Sequence, residues 1–170
     1  MKFHFVVSLS SPMVMQIKFI FTVLFIFLTG NFTGQNSSNR DVFYEAMMGK
    51  DLKAINGELN KLEGKEAFKG ALLMKKAGLL TEPKDRLKTF KEGRAGLESA
   101  ISKDSTNSEY RFLRILIQEN APKIVHYTSE IKKDALYLRT NYKSLPLTAK
   151  KALNDYSKTS KELKPEDFKK

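Results

Sequence analysis

The sequence predicts an all-α domain of about seven helices, arranged in antiparallel hairpins behind an N-terminal signal segment. Apolar residues recur at intervals of three and four along the body of the chain, as on one face of a helix. After the N-terminal segment, no run alternates apolar and polar residues with the β-branched enrichment of a strand. Glycine and proline stand where the periodic segments begin and end, so the helices should be short and closely connected.

The N-terminal segment, residues 1–34, has the three parts of a secretory signal peptide. A short basic lead ending at Lys18 is followed by the apolar run FIFTVLFIFL and then by the small and polar TGNFTGQNSSN. Translation starting at Met13 or Met15 would give the same three parts. We therefore expect export, to the periplasm or outside the cell. The alternative is a retained signal anchor in the inner membrane, with residues 3–28 lengthening the apolar stretch.

The remaining chain divides by composition into three parts. Residues 35–39 are small and polar and are predicted to be a short linker. Residues 40–163 should form a single α-helical domain, because periodic apolar residues continue throughout that range. Residues 164–170 are mostly charged, and a charged terminal segment is expected to fray.

The first half of the domain contains four predicted helices. Leu52, Ile55 and Leu59 show the reasoning, since intervals of three and four place them on one helical face. Gly70 and Ala71 predict that another backbone approaches the third helix closely. The four helices are one that stops near Gly49, one from Leu52 ended by Gly64, one over Glu66–Ala77 ended by Gly78, and one from Pro83 to about Ser102.

The second half contains three more helices. Thr106 and Glu109 have the spacing of a capping box, which predicts a helix start near Asn107 or Ser108. This helix should stop near Asn120, because Pro122 disfavours helical geometry in the residue before it. The last two helices are expected over Ile131–Tyr142 and Ala149–Tyr156, separated by the SLP sequence.

The segment LESAISKDSTNSEYRFL resembles the junction between two tetratricopeptide repeats. Gly93, Leu97 and Ala100 take the small, bulky and small positions of the second helix in that family. Ser105 stands where the family has proline, and Ile115 where it has glycine, so the chain is either tetratricopeptide-like or an irregular helical bundle. The resemblance implies a groove between hairpins that receives a peptide. The order ESAI, EYRFLRILIQENAPK and LPLTAKKAL behind a signal peptide also resembles small exported bacterial proteins without an assigned activity.

Composition excludes several functional classes. The chain has no cysteine, which rules out disulfides, a thiolate nucleophile and cysteine-based metal sites. The body has one histidine, His126, and lacks the phosphate-binding and nucleophile-elbow motifs, so we expect no enzyme, no cofactor and no metal. The net charge of +11 favours anionic partners, but the basic residues alternate with acidic ones as on a solvated surface. An export signal argues against nucleic acid as the partner.

The candidate binding residues lie on the apolar helix RFLRILIQEN. At about 100° per residue, Arg111, Arg114 and Gln118 form one narrow polar stripe on a helix that is otherwise apolar. This pattern predicts the central helix of the domain. The stripe either reaches water or lines a groove with Glu119 and Asn120, where an arginine would hold a carboxylate of a peptide or glycan. Glu119 and Asn120 also suit a capping role.

Three functions follow as hypotheses. The preferred one is an exported helical binding or scaffold module for a peptide or protein partner in the cell envelope, without catalysis. The second is a membrane-anchored envelope protein whose basic face meets anionic lipid or polysaccharide. For that face, Lys132 and Arg139 lie seven residues apart and share one side of a helix. The third is an enzyme that acts on envelope polymers.

Overall fold

A computed structural model of the chain describes the backbone of residues 34–169 and the side chains from residue 39 onward. In this range every regular element is a helix, which confirms the all-α class. The α-helices are α1 Gly34–Met48, α2 Leu52–Leu59, α3 Glu66–Ala77, α4 Pro83–Lys103, α5 Ser108–Asn120, α6 Ile131–Asn141 and α7 Leu147–Ser157. Short 3₁₀ helices cover Lys123–Val125, Tyr142–Ser144 and Pro165–Phe168. The predicted signal segment lies outside the described residues, apart from Gly34.

Helix α5 is the central element of the compact unit Ser37–Lys170, as the apolar pattern predicted. It packs against α3, α4, α6 and α7. Phe112, Leu113 and Ile115, which follow one another around the helix, are all fully buried. Because a helix that is apolar on most sides is stable only inside a core, its neighbours have to surround it.

Helices α3 and α4 touch backbone to backbone. A Cβ atom added to Gly70 would lie 2.6 Å from the carbonyl oxygen of Gly93 and 2.6 Å from the backbone nitrogen of Leu97. A Cβ on Gly93 would in turn meet the backbone nitrogen of Met74 at 2.9 Å. The small residues of α3 therefore allow the close approach that the sequence predicted.

The predicted linker, residues 35–39, is helical in the structure, because α1 begins at Gly34 rather than after Asn39. Phe43 and Met47 are buried and fix the later turns of this helix in the core. Once such turns are formed, each added residue gains a backbone hydrogen bond at little further entropic cost. The small polar composition was therefore a poor guide to the helix boundary.

The prediction of a frayed tail over residues 164–170 is wrong as far as Phe168. This side chain is buried, and its ring lies 5.1 Å from that of Tyr142, measured between centroids. The Asp167 carboxylate accepts a hydrogen bond from the backbone N–H of Lys164 and pairs with Arg139 at 2.9 Å. The single aromatic residue and its acidic neighbour anchor the segment despite its charge.

One helix cap and one helix end also differ from prediction. Helix α5 begins at Ser108 and ends at Asn120 as expected, but its N-cap is Asn107, whose side chain accepts from the backbone N–H groups of Glu109 and Tyr110. The Thr106 hydroxyl donates instead to Asp104 at 2.9 Å. Helix α2 ends at Leu59, and Gly64, with a φ of 71°, forms the turn after it.

Candidate functional site

A buried carboxylate, Asp134 on α6, holds both arginines of the polar stripe. Its Oδ1 and Oδ2 atoms accept from Arg114 Nη2 at 2.8 Å and Arg114 Nε at 2.6 Å. Arg111 Nη1 donates to Oδ1 at 2.8 Å. Asp134 has no exposed surface, so this charged cluster is closed to solvent. Two-pronged arginine–carboxylate pairing of this kind fixes the orientation of both groups.

The remaining guanidinium nitrogens of the two arginines are hydrogen-bonded as well. Arg111 donates from Nε and Nη2 to the carbonyl oxygen of Ser105, and its guanidinium lies 4.2 Å from the ring centroid of Tyr137. Arg114 Nη1 donates to Glu98 at 2.8 Å. Burial opposes the charge on Arg114, but hydrogen bonding and attraction from Asp134 and then Glu98 outweigh it and raise its pKa.

The predicted groove along this stripe is therefore not present. Arg111 and Arg114 are more than nine-tenths buried and face Asp134, so little of either reaches water and neither lines an open cleft. The helical spacing placed them correctly on one side of α5. It carried no information on the partner, because Asp134 lies 20 residues beyond Arg114 on another helix.

Glu119 and Asn120 have structural roles at the end of α5. The Glu119 carboxylate accepts from the Tyr156 hydroxyl at 2.6 Å, the Ser160 hydroxyl at 2.7 Å and the Glu162 backbone N–H at 2.8 Å. The Asn120 amide donates to the Leu116 carbonyl oxygen and to the Tyr156 hydroxyl. These contacts hold the segment after α7 against α5, which is closer to the predicted capping role than to ligand binding.

Gln118, the third member of the stripe, is a weak point in the core. It is 1% exposed, and neither its amide oxygen nor its amide nitrogen has a hydrogen-bond partner among the described residues. A buried polar group without a partner costs about 1–3 kcal/mol, whereas an apolar group of the same shape does not. We expect Gln118→Met to raise the free energy of unfolding by about 1–3 kcal/mol, measured by urea denaturation. A loss of stability would show that the amide is hydrogen-bonded in solution.

Three of the six tyrosines are held protonated by their surroundings. Burial, and then the carboxylates of Glu109, Glu98 and Glu119, raise the pKa values of Tyr44, Tyr127 and Tyr156 respectively. Above about pH 10 the unfolded chain loses these protons while the folded chain keeps them. The unfolded state then binds fewer protons, so the free energy of unfolding must fall as the pH rises.

Ultraviolet phenolate absorbance measures this effect, and the absence of tryptophan simplifies the spectrum. We expect the phenolates of these three tyrosines to form only as the helices unfold in strong alkali. Tyr127→Phe and Tyr156→Phe should each remove an equal share of the late absorbance. Late absorbance that both variants leave unchanged would contradict the assignment.

An open pocket of about 310 Å³ lies between α1 and α2, and we call it the α1–α2 groove. On the α1 side it is lined by Val42, Glu45, Ala46 and Gly49. On the α2 side it is lined by Asp51, Ala54, Gly57, Glu58 and Lys61. These positions recur at intervals of three and four on both sides, so one face of each segment lines the groove. The sequence signal that could have revealed the groove is the recurrence of small residues at intervals of three: Ala46 and Gly49 on one side, and Ala54 and Gly57 on the other.

Acidic groups outnumber basic ones in the α1–α2 groove, although the chain as a whole carries +11. The Asp51 carboxylate accepts from the backbone N–H of Lys53 as the N-cap of α2. Glu58 is 4% exposed, and its Oε2 atom accepts no hydrogen bond from the residues described. The nearest cation is Lys61, whose Nζ atom lies 3.2 Å from that oxygen.

Other kinds of site find no support in residues 34–169. No group of three or more histidine, aspartate or glutamate side chains converges there as a metal site would require. None of the helices in that range is long and apolar enough to cross a bilayer. Comparison with known protein families, with curated proteins and with solved structures finds no match to this chain.

Proposed function

We propose that this chain is an exported helical scaffold protein that binds a peptide or protein partner in the cell envelope, without catalysis. The observation that supports binding is the α1–α2 groove, a concave surface with apolar small residues on its walls and charged residues at its rim. Ligand sites in proteins commonly combine these features. The apolar run before residue 29, with its basic lead and polar exit, supports export.

The arrangement of α3 and α4 supports the scaffold role. Gly96 lies against Glu66, and Gly93 against Met74, so the two helices run in opposite directions as in a repeat hairpin. We propose a tetratricopeptide-like origin for this pair, with an irregular bundle around it. The burial of Asp134 supports the absence of catalysis, because the carboxylate that both arginines share has no surface open to a substrate.

Site-directed cross-linking tests the proposal, and the lack of cysteine makes a single introduced thiol unique. Ala54→Cys, in the exposed rim of the groove, and Lys151→Cys, exposed on α7, would each carry a photoactivatable label in envelope preparations. We expect a discrete protein adduct from Ala54→Cys only. Adding Gly57→Leu should suppress it, since Gly57 lines the groove and a Cβ atom there meets no other atom within 4 Å. Equal adducts from both positions would exclude a groove partner.

A second function, binding to anionic membrane surfaces, is favoured by one observation. Leu136 is 65% exposed on α6, beside the exposed Lys132 and Lys133. Arg139, which was expected to join Lys132, is instead engaged by Asp167 and the Glu162 carbonyl oxygen. If this face binds lipid, combining Lys132→Glu with Lys133→Glu should weaken sedimentation with phosphatidylserine vesicles at least about tenfold. Charge reversal at two exposed lysines of α4 provides the control.

A further inference from the structure

Glu58 is an unusual residue for the α1–α2 groove. Its carboxylate is nine-tenths buried, yet Oε2 accepts no hydrogen bond from the described residues. A buried carboxylate normally has both hydrogen-bond donors and a counter-charge, because removing it from water is costly. Lys61 supplies part of the counter-charge, but its own side chain is 64% exposed and its Nζ atom at 3.2 Å does not meet hydrogen-bond geometry.

The surroundings of Glu58 restrict what can satisfy it. Glu45 and Asp51 add two more carboxylates to the lining, so the groove is negative within a chain that is otherwise strongly basic. An anionic group would be repelled there. A neutral apolar side chain would fill the space and still leave Glu58 without a donor.

The apolar residues that line the groove indicate what the uncharged part of the bound group should be. Val42, Ala46 and Ala54 provide apolar surface in the lining of the groove. Lysine and arginine side chains have an apolar stem and a cationic head, and they bury the stem along apolar surface. The groove therefore offers apolar surface to the stem of a basic side chain and a carboxylate to its cationic head.

We propose that a lysine or arginine side chain of the partner inserts into the α1–α2 groove and donates hydrogen bonds to the Glu58 carboxylate. This inference rests on the proposed binding function and specifies its chemistry. In the free protein the Lys61 ammonium lies 3.2 Å from Glu58 Oε2. The incoming cation displaces it. Because its side chain is mostly exposed, its release into water costs little.

The n-butylammonium ion, which is the side chain of lysine without its backbone, is a direct probe. Titrated into the full chain, it should shift the amide NMR signals of Gly49 and Gly57 saturably, with sodium chloride as the ionic-strength control. n-Butanol has the same apolar stem without the charge and should bind at least about tenfold more weakly. Equal binding of the two probes, or no saturable shift with n-butylammonium, would overturn the inference.

Two variants change the affinity in opposite directions. Glu58→Gln keeps the shape but removes the charge, and should reduce n-butylammonium binding to the level of n-butanol. Lys61→Met keeps the stem but removes the competing ammonium, and should tighten binding several-fold. Glu63→Gln, which changes an exposed carboxylate outside the groove, should have no effect. If Glu63→Gln weakened n-butylammonium binding as much as Glu58→Gln does, the effect would come from net charge alone and the inference would be refuted.

The same variants separate this inference from the proposed function. Cross-linking from Ala54→Cys that is lost with Gly57→Leu but retained with Glu58→Gln would support a groove partner and exclude the basic side chain. Loss of the adduct in both variants supports both claims. Failure to form any adduct, together with selective n-butylammonium binding, would leave the cation site established and the protein partner refuted.

Discussion

Replacing Asp134 with alanine should lower the free energy of unfolding by about 3–5 kcal/mol. The substitution leaves the guanidinium groups of Arg111 and Arg114 buried without their shared carboxylate, and buried charges without a partner are strongly destabilising. Arg114 would retain only Glu98 and the more distant Glu130, whose Oε2 atom lies 3.8 Å from Nη2. Urea denaturation followed by far-ultraviolet circular dichroism measures the loss.

Asp155→Ala is the matched control for this prediction. Asp155 also pairs with a cation, Lys158 at 2.7 Å, but both side chains are more than 60% exposed. Exposed pairs contribute little, so Asp155→Ala should change the free energy of unfolding far less than Asp134→Ala does. A comparable effect of the two substitutions would mean that the Asp134 cluster is hydrated in solution, contrary to the structure.

A triple variant separates the cost of the unpaired charges from the value of the ion pairs. Arg111→Met, Arg114→Met and Asp134→Leu together replace the charges with apolar groups of similar size. Such replacements of buried ion networks are often neutral or stabilising. We expect the triple variant to recover most of the stability that Asp134→Ala loses. If it remains as unstable as Asp134→Ala, the cluster contributes net stability through its hydrogen bonds.

The second large effect is expected at the contact between α3 and α4. Gly70→Ala places a methyl group within 2.6 Å of backbone atoms of Gly93 and Leu97, and backbone cannot rotate away as a side chain can. The two helices must separate, which we expect to cost about 3 kcal/mol, at the upper end of overpacking effects. The intrinsic helix preference of alanine recovers only about 1 kcal/mol of that.

Gly57→Ala is the control, since both glycines lie inside helices. A Cβ at Gly57 meets no atom within 4 Å, so this variant should gain about 0.5–1 kcal/mol from helix propensity alone. Thermal denaturation of both variants gives the comparison. Equal stabilisation by the two substitutions would show that α3 and α4 do not touch through Gly70.

Much of the helical architecture could be predicted from the sequence. Helix α3 runs over Glu66–Ala77 as predicted, because the apolar spacing and Gly78 mark it locally. Helix α5 starts and stops where its polar cap and Pro122 require. In both cases the signals lie within a few residues of the boundary. The polar segment before Asn39 and the charged segment after Lys164 misled the prediction, because packing by Phe43 and Phe168 overrides composition there.

The site was predicted less well than the fold. The spacing of Arg111, Arg114 and Gln118 indicated a polar stripe on a buried helix, which is correct, but the stripe was expected either to reach water or to line a groove, and the two arginines face buried Asp134 instead. The concave surface instead lies between α1 and α2. Its key residue, Glu58, gave no local signal, because a single glutamate at a helix end is usually exposed.

The sequence by itself determined the helices, their approximate ends and the central position of α5, since these depend on periodicity, capping and chain geometry over short distances. The tertiary structure alone decided which polar groups meet. Arg114 and Asp134 are separated by a turn and a 3₁₀ helix, and Glu119 reaches Glu162 across 43 residues. Whether a buried charge such as that of Arg114 is neutralised depends on such distant contacts, which no local pattern encodes.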